Sequence, residues 1–351
     1  LIIALDCGIK ATKKIEYANS LNIDFIICDH HTPETKLPDA VAVLDPKRPD
    51  CNYPFKDLSG CGVGFKLLQA FSKTHNIDFS DLTPFLDLVA VSIASDIVPI
   101  IDENRVLAYY GLQQLNENPG TGMKAIINMS GLGEKDHDIV VEDVVFRIGP
   151  RINAAGRMES GRSAVDLLIT DDRGKAEQRD KKVNSCNDDR KNVDRLITQD
   201  ALKMIANEPG FREKKSTVLY NADWHKGVVG IVASRMIEIY YRPTIILTAS
   251  TGMSTGSAKS ISGFESYKTL EECNDLLENF GGHMYAAGLT MDVNNIQAFK
   301  RRFEDIVENK ITEEQMIPHI EVDSEIELKD ITSKFFRILH QFQPFGPKNL
   351  A

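Results

Sequence analysis

Residues 23–31 read IDFIICDHH, an apolar run that ends abruptly in one aspartate and two histidines. Two comparable runs flank it, because residues 1–8 read LIIALDCG and residues 40–46 read AVAVLDP. Strands that are buried on both faces of a parallel sheet are nearly continuously apolar, and a helical segment over residues 9–20 separates the first two runs. The sequence therefore predicts an α/β fold built on a parallel sheet.

Helical periodicity dominates the middle of the chain, and a second α/β pattern follows it. Residues 172–207 are highly charged and lack glycine after Gly174, which predicts one long helix between two domains. Apolar and polar residues alternate from about residue 317, which predicts the beginning of a β-type domain. Helices are predicted over residues 62–75, 84–95, 105–116, 228–240, 270–279 and 296–307, and strands over residues 217–220, 244–247 and 286–291. The predicted divisions are residues 1–165 for the first α/β domain, 166–208 for the linker helix, 209–312 for the second α/β domain and 313–351 for the β-type domain.

The composition is that of a globular protein. Hydrophobic residues make up 42% of the 351 positions, and no apolar run reaches the length of about 18 residues that a membrane span needs. The net charge of −10 argues against a uniformly basic surface but allows a local basic channel on an acidic body. The six cysteines form no CxxC pair, so a reduced cytoplasmic setting is the simplest interpretation.

The strand ends carry the candidate chemistry. Asp6 and Asp29-His30-His31 follow neighbouring strands, and the carboxyl ends of parallel strands form the edge of a sheet where ligands bind. Carboxylate oxygens and imidazole nitrogens suit Mn²⁺ or a similar divalent ion, and two such ions about 3.5–4 Å apart would clamp a phosphodiester. One aspartate after a strand is usually a helix cap and one histidine is usually structural, but three ligand-type residues in a row favour a metal site.

Asp29-His30-His31 is the motif for which the DHH phosphoesterases are named. Residues 6–8 resemble the preceding motif of that family, and residues 95–99, SDIVP, resemble its fourth motif. The resemblance implies that Asp6, His30 and Asp96 are direct ligands of Mn²⁺ or Mg²⁺. It also implies that Asp29 and His31 are catalytic residues, which orient the ligands or face the phosphate.

Five further blocks are similar to the RecJ-type single-strand-specific DNA exonucleases within that family, and together they cover essentially the whole chain. These blocks are residues 45–50, 149–157, 224–235, 281–288 and 344–349. The resemblance implies a metal-dependent enzyme that hydrolyses single-stranded DNA in the 5′-to-3′ direction, in DNA repair and recombination. It also implies that the second α/β domain is a DHH-associated, nucleic-acid-binding domain, and that the last segment begins an oligonucleotide-binding (OB-like) barrel.

The same blocks imply the residues that contact DNA. Arginine forks suit phosphate oxygens, and paired glycines let a backbone approach a ligand closely. The DNA-binding set is Arg151, Asn153, Arg157, His225, Arg235, Lys259, Gly281 and Gly282, and His283 is expected to act in catalysis by stabilising a leaving oxygen. Lys259 departs from the arginine that is usual in the family, which keeps the charge but loses the fork. Trp224 is as well suited to the core as to stacking on a base.

RecJ-like enzymes carry an aspartate-rich motif upstream of the block that contains Asp6, and residues 1–5 do not include it. The expectation from the resemblance is a chain truncated at both ends, without the first strand of the sheet and its motif. Such a chain would lack ligands for at least one ion of a two-metal site that the complete protein would carry, and it would be inactive alone.

Two other functions fit parts of the sequence. One is a DHH phosphodiesterase that acts on short oligonucleotides or cyclic dinucleotides, and the other is a non-catalytic RecJ-like scaffold that binds DNA. The expected partner is single-stranded DNA, with a helicase or single-strand-binding protein as a candidate protein partner, and the expected state is a monomer without membrane association.

Overall fold

The structure is a computed structural model that describes residues 1–134, 137–283, 286–320 and 322–350, with only the backbone of His283 included. The described chain forms two compact units. The first unit comprises residues 1–185 and 326–350, and the second comprises residues 186–325.

The first unit contains the sheet that was predicted from the three apolar runs. Strands β1 (Ile2–Leu5), β2 (Phe25–Cys28) and β3 (Ala42–Leu44) are all parallel and lie in the order β1-β2-β3. The ladder continues one residue beyond each strand, because the Asp6 N–H donates to the Cys28 carbonyl and the Asp29 N–H donates to the Leu44 carbonyl, at 2.8 and 2.9 Å. Asp6 and Asp29 are therefore held at the same edge of the sheet.

Helices build most of the first unit around this small sheet. They are α1 (Thr12–Ser20), α2 (Gly60–His75), α3 (Leu86–Ser95), α4 (Asp102–Glu117), α5 (Thr121–Met129), α6 (Val141–Asp143), α7 (Gly149–Met158) and α8 (Arg162–Leu168). A π-helical segment, Val144–Ile148, joins α6 to α7. The core of this unit centres on α3, where the side chains of Val89 and Ile93 are buried.

Helix α4 crosses α3 at very close range. A Cβ atom on Gly111 would lie 2.3 Å from the Leu86 carbonyl oxygen, so a side chain at this position would force the two helices apart. This contact lies at the first residue of α3, and Asp96 follows the last residue of the same helix. Close packing of α4 therefore helps to hold the helix that carries one predicted metal ligand at its other end.

Helix α9 (Arg173–Asn207) is 35 residues long and runs from the first unit into the second, as the charged, glycine-free stretch predicts. The second unit then forms a sheet with the order β4-β5-β6-β8-β7, in which β4 and β5 are parallel and the other neighbours are antiparallel. Its elements are β4 (Thr217–Tyr220), α10 (Val229–Tyr240), β5 (Thr244–Ser250), β6 (Met253–Lys259), α11 (Ser266–Glu271), β7 (Asn279–His283), β8 (Ala286–Met291) and α12 (Ile296–Lys310).

Two details of the second unit differ from the sequence prediction. The helix expected over residues 270–279 is wrong, because α11 ends at Glu271 and residues from Asn279 onward pair with β8 as strand β7. Strand β6 was not predicted, since its residues are small and polar and give no apolar run. It is nevertheless the middle strand of the sheet, because β5 on one side and β8 on the other satisfy its backbone groups.

The β-type domain expected from residue 313 onward is not confirmed. Among residues 313–320 and 322–350 the structure has no extended strand, and the segment contains helix α13 (Ser333–His340) instead. Ile320 and Leu328, two residues of the alternating apolar pattern, are 89% and 88% exposed. The alternation therefore does not correspond here to a strand whose apolar face is buried. No helix in the described part of the chain is long and apolar enough to cross a membrane.

Strand β1 lies at the edge of the first sheet, and much of its apolar surface is exposed. Ile2, Ile3 and Leu5 are 44%, 50% and 53% exposed, whereas Ile27 in the central strand is fully buried. The apolar run that predicted this strand is therefore covered only in part by the described residues.

The aromatic residues of α12 hold the second unit together. The side chains of Phe299 and Phe303 are fully buried and stack with ring centroids 5.7 Å apart. We expect Phe303→Ala to lower the free energy of unfolding of this unit by about 3–5 kcal/mol, because it leaves a cavity in the core. Chemical denaturation measures the change, and Phe336→Ala, at a position that is 56% exposed, should cost less than about 0.5 kcal/mol. An equal effect of both substitutions would contradict this assignment of the core.

Candidate metal centre and nucleic-acid-binding residues

Three predicted metal ligands converge at the carboxyl edge of the first sheet. The Nε2 atom of His30 lies 3.1 Å from Oδ1 of Asp6 and 3.1 Å from Oδ2 of Asp96. Nitrogen and oxygen ligand atoms of Asp6, His30 and His31 also lie within 4.8 Å of one another. The strand ends after β1 and β2 and the end of helix α3 supply these groups, so residues far apart in sequence meet at one point.

The imidazole of His30 is oriented by a backbone group. Its Nδ1 atom lies 3.0 Å from the Leu58 carbonyl oxygen, which can only accept, so Nδ1 carries a proton and Nε2 faces the two carboxylates. Metal-binding histidines are commonly held this way, with the second ring nitrogen donating to a carbonyl or carboxylate.

The electrostatics of this cluster favour a positive charge at its centre. Burial lowers the pKa of His30, but the hydrogen bond with Asp6 and the charges of Asp96 and Asp6 outweigh it, so the pKa of His30 is raised. Burial raises the pKa of Asp96, which the charge of His30 offsets only in part. Two carboxylates beside one imidazole nitrogen are a donor set that fits a divalent ion such as Mn²⁺ or Mg²⁺.

Asp29 is buried, at 1% exposure, and its carboxylate is fully used within the protein. Oδ2 accepts from the Ile9 N–H at 2.9 Å, and Oδ1 accepts from the N–H groups of His30 and His31 at 2.8 and 3.2 Å. Burial would raise the pKa of Asp29, but these hydrogen bonds and the one with the His31 side chain lower it below its usual value. The Asp29 carboxylate therefore holds the backbone of residues 30 and 31 and the imidazole of His31.

His31 lies beside the metal ligands and is more exposed than His30. Its Nδ1 atom is 2.7 Å from Oδ1 of Asp29, and its side chain is 40% exposed. Because Asp29 occupies Nδ1, Nε2 is the ring nitrogen that His31 can present to a ligand at the sheet edge.

Helix α7 carries the GPRINAAGR segment and packs against the end of α3. A Cβ atom on Gly149 would lie 2.6 Å from Oγ of Ser95, the residue before Asp96. Glycine at this position therefore lets the first turn of α7 approach the metal cluster, as the predicted role of this segment requires.

Comparisons with known proteins agree with this geometry. The family described as "DHH family, N-terminal domain" matches residues 1–93, and the "DHHA1 domain" matches residues 213–309. The single-stranded-DNA-specific exonuclease RecJ of Bacillus subtilis is 39% identical over 354 aligned positions, which cover 99% of this chain and 43% of that protein. A crystal structure of exonuclease RecJ bound to manganese matches with a TM-score of 0.70 and 30% identity, over 88% of this chain and 75% of that one. The chain belongs to the RecJ family of DHH proteins.

The agreement in fold extends over nearly the whole chain. RecJ from Thermus thermophilus, crystallised in complex with Mn²⁺, matches with a TM-score of 0.87 at 28% identity, over 99% of this chain. That match covers 50% of the Thermus chain, so this chain spans about half the length of the RecJ proteins from Bacillus subtilis and Thermus thermophilus.

Three RecJ-family residues predicted to bind DNA lie on α7. Nε of Arg151 donates to Oδ1 of Asn184 at 3.2 Å, and one terminal nitrogen donates to the Arg147 carbonyl at 2.6 Å. Asn153 and Arg157 are exposed on the same helix. Arg151 is thus partly engaged within the protein, whereas Asn153 and Arg157 lie at the surface.

In the second unit, the predicted DNA contacts differ in how strongly the protein holds them. Arg235 forms a bidentate ion pair with the buried Asp194, with N–O distances of 2.7 to 3.1 Å, which ties α10 to α9. Nδ1 of His225 accepts from the Gly227 N–H at 3.2 Å, and Lys259 is the last residue of β6. The fork of Arg235 is therefore already occupied by a carboxylate.

The glycine pair in β7 has two different environments. A Cβ atom on Gly282 would lie 2.2 Å from the Ala286 carbonyl oxygen, whereas Gly281 has open space where a side chain would be. The side chain of His283 lies outside the described residues. Glycine at position 282 is required by the hairpin itself, and glycine at position 281 leaves the backbone accessible.

Sequence reasoning missed the residues that hold the predicted site in place. Leu58 acts only through its carbonyl group, which leaves no signal in a sequence. Asp180 and Asp194 lie in a helix rich in exposed charges, yet both are 2% exposed. The two residues are fourteen positions apart. This spacing equals two heptads, which places them on one face of the helix, and it is the signal that could have identified them.

Trp224 is buried, and its indole N–H donates to Asp200 at 2.8 Å, which places it in the core.

The arrangement around Asp29 generates a prediction about metal affinity. Asp29→Asn keeps the size of the side chain but directs an amide group at N–H donors, so His30 and His31 should lose their orientation. We expect Mn²⁺ affinity to fall by about 10–100-fold, measured by electron paramagnetic resonance of free Mn²⁺. The matched control is Asp78→Asn, which alters an exposed turn where the carboxylate accepts from the Ser80 N–H. Unchanged affinity in Asp29→Asn would contradict the orienting role.

Asp180 generates a prediction about pH. Burial raises the pKa of Asp180 from 3.8 to about 6, against an opposing effect of the Arg151 charge. A carboxyl group with a raised pKa destabilises the fold above pH 6, and this effect disappears as the pH falls below 3.8. Asp180→Asn should therefore raise the free energy of unfolding by about 1–3 kcal/mol at pH 8 and change it little near pH 4. Thermal unfolding across this range measures the difference, with Asp171→Asn as the control, and a pH-independent difference would refute the prediction.

Proposed function

We propose that the protein carrying this chain is a metal-dependent exonuclease that hydrolyses phosphodiester bonds of single-stranded DNA. The observation that carries the proposal is the position of His30, whose Nε2 atom lies 3.1 Å from a carboxylate oxygen of both Asp6 and Asp96. Membership of the RecJ family supports DNA as the substrate, since the relative from Bacillus subtilis is a single-stranded-DNA-specific exonuclease.

In this proposal Asp6, His30 and Asp96 hold Mn²⁺ or Mg²⁺. A bound divalent ion lowers the pKa of a water molecule and stabilises charge that develops on phosphate oxygens. Asp29 keeps both histidines in orientation through its hydrogen bonds. His31 presents Nε2 toward the phosphate, where an imidazole can donate a hydrogen bond or accept a proton.

The proposed nucleic-acid-binding residues lie on helix α7 and in the second unit. Asn153 and Arg157 are exposed on α7 and suit phosphate oxygens, as does Lys259 at the end of β6. The accessible backbone at Gly281 suits close approach of a phosphate or sugar. Arg151 and Gly282 support these contacts, and His225 and Arg235 would contribute through the loop and helix that they stabilise.

Direction, setting and partners follow from the family and remain part of the proposal. We infer 5′-to-3′ hydrolysis in DNA repair and recombination, by a cytoplasmic monomer that cooperates with a helicase or single-strand-binding protein. A phosphodiesterase of short oligonucleotides or cyclic dinucleotides and a non-catalytic DNA-binding scaffold are the alternatives that the experiment must separate. The nuclease assay compares this chain with the longest encoded form, and the comparison tests the expectation that this chain is inactive alone.

The test is a nuclease assay with Mn²⁺ on 5′-phosphorylated single-stranded DNA, the matching duplex and a dinucleotide. We expect preferential degradation of the long single strand, and a loss of at least about 100-fold in His30→Ala, because the central ligand is removed. His75→Ala, at an exposed position in the last turn of α2, is the matched histidine control.

The possible outcomes separate the three functions. Cleavage that prefers the dinucleotide would support the small-substrate phosphodiesterase. DNA binding without cleavage in the longest encoded form would support the scaffold. Full activity of His30→Ala on any of the three substrates would contradict the proposed metal centre.

A further inference from the structure

We infer that the turn formed by residues 58–60 positions two of the metal ligands. This inference rests on the proposed function of the metal centre, and it assigns a role to residues that carry no ligand atom. The turn immediately precedes and begins helix α2, and it lies against the strand ends after β1 and β2.

The first contact of this turn is with His30. The Leu58 carbonyl accepts from Nδ1 of His30 at 3.0 Å, and His30 is only 6% exposed, so the ring has little freedom to rotate. Leu58 itself is 1% exposed, which fixes the backbone from which this carbonyl projects.

The second contact is with Asp6 and depends on the absence of a side chain at Gly60. A Cβ atom on Gly60 would lie 2.1 Å from Oδ1, 2.4 Å from Cγ and 2.6 Å from Cβ of Asp6. Three atoms of Asp6 therefore pack directly against the Gly60 backbone. Asp6 also has a φ angle of 60°, in the left-handed region that residues with a side chain adopt infrequently and that aspartate tolerates better than most of them.

Ser59 holds the turn in place between these two contacts. Ser59 is fully buried and caps α2, because its Oγ atom accepts from the Gly62 N–H at 3.1 Å. The capped helix end is a rigid support, so the Leu58 carbonyl and the Gly60 backbone keep a fixed separation. One turn thus sets the position of the Asp6 carboxylate relative to the His30 imidazole.

A methyl group at position 60 should act on the ligand more than on the fold. The Asp6 side chain is 57% exposed, so its carboxylate can rotate toward solvent to relieve the contacts at Oδ1 and Cγ, and it would then leave Nε2 of His30. The contact at Cβ requires a small shift between the turn and the Asp6 backbone, which displaces the same ligand. Gly64→Ala is the matched control in the same helix, because its Cβ would lie 3.0 Å from the tip of the flexible Leu5 side chain and 3.9 Å from the next atom.

The experiment measures Mn²⁺ affinity of the full chain by electron paramagnetic resonance, with no activity readout. We expect Gly60→Ala to weaken Mn²⁺ binding by about tenfold or more and Gly64→Ala by less than about twofold. Comparable losses in both variants, or an unchanged affinity in Gly60→Ala, would overturn the inference.

A second measurement separates this inference from the proposed function. Asp6→Gly removes the three Asp6 atoms that lie nearest to a methyl at position 60, and glycine tolerates the positive φ angle. The melting temperature lost in Gly60→Ala should therefore be recovered when the same substitution is made in Asp6→Gly. Absence of this recovery would overturn the inference, whereas recovery combined with no Mn²⁺ binding by the unsubstituted chain would count against the proposed metal centre alone.

Discussion

The buried carboxylate of Asp29 is the interaction on which the site depends. It joins the segment after β1, through the Ile9 N–H, to the segment after β2, through the N–H groups of His30 and His31. A buried carboxylate is costly unless its oxygens are satisfied, and these donors lower the pKa of Asp29 despite its burial. The charge that stabilises the strand ends therefore also orients the two histidines that follow it.

Helices complete what the strand ends begin, and glycine determines how closely they approach. Gly60 lets α2 contact Asp6, Gly149 lets α7 contact Ser95, and Gly111 lets α4 cross α3. In each case a side chain would collide with a candidate ligand, with the residue before one or with the helix that carries one. The candidate metal site is thus an outcome of close packing between a small sheet and several helices, because the sheet supplies only some of its residues.

The sequence predicted most of the strands and helices α1 to α4, α9, α10 and α12, because their signals are local. The apolar runs that end in Asp6, Asp29 and Asp45 mark buried parallel strands, and the charged stretch of α9 marks a long exposed helix. Strand β6 and the hairpin strand β7 escaped prediction, since their small and polar residues are held by neighbouring strands that no local window contains. The Asp6–His30 contact follows from neighbouring strand ends, as the sequence predicted. The His30–Asp96 contact could be expected only from the family resemblance, because chain topology brings Asp96 to the sheet edge from a helix end.

Buried carboxylates explain why Arg235, a predicted DNA-binding residue, is already bound within the protein. Asp194 is 2% exposed, and a buried carboxylate of this kind requires a partner, which the fork of Arg235 supplies in a bidentate geometry. Asp45 is also buried, but a backbone donor takes the place of the guanidinium fork. Burial raises the pKa of its carboxyl group, and the hydrogen bond that Oδ1 accepts from the Lys47 N–H at 2.8 Å opposes this effect. Burial and hydrogen bonding thus act in opposite directions on each buried carboxyl group, and the partner that the fold supplies decides how well its charge is held.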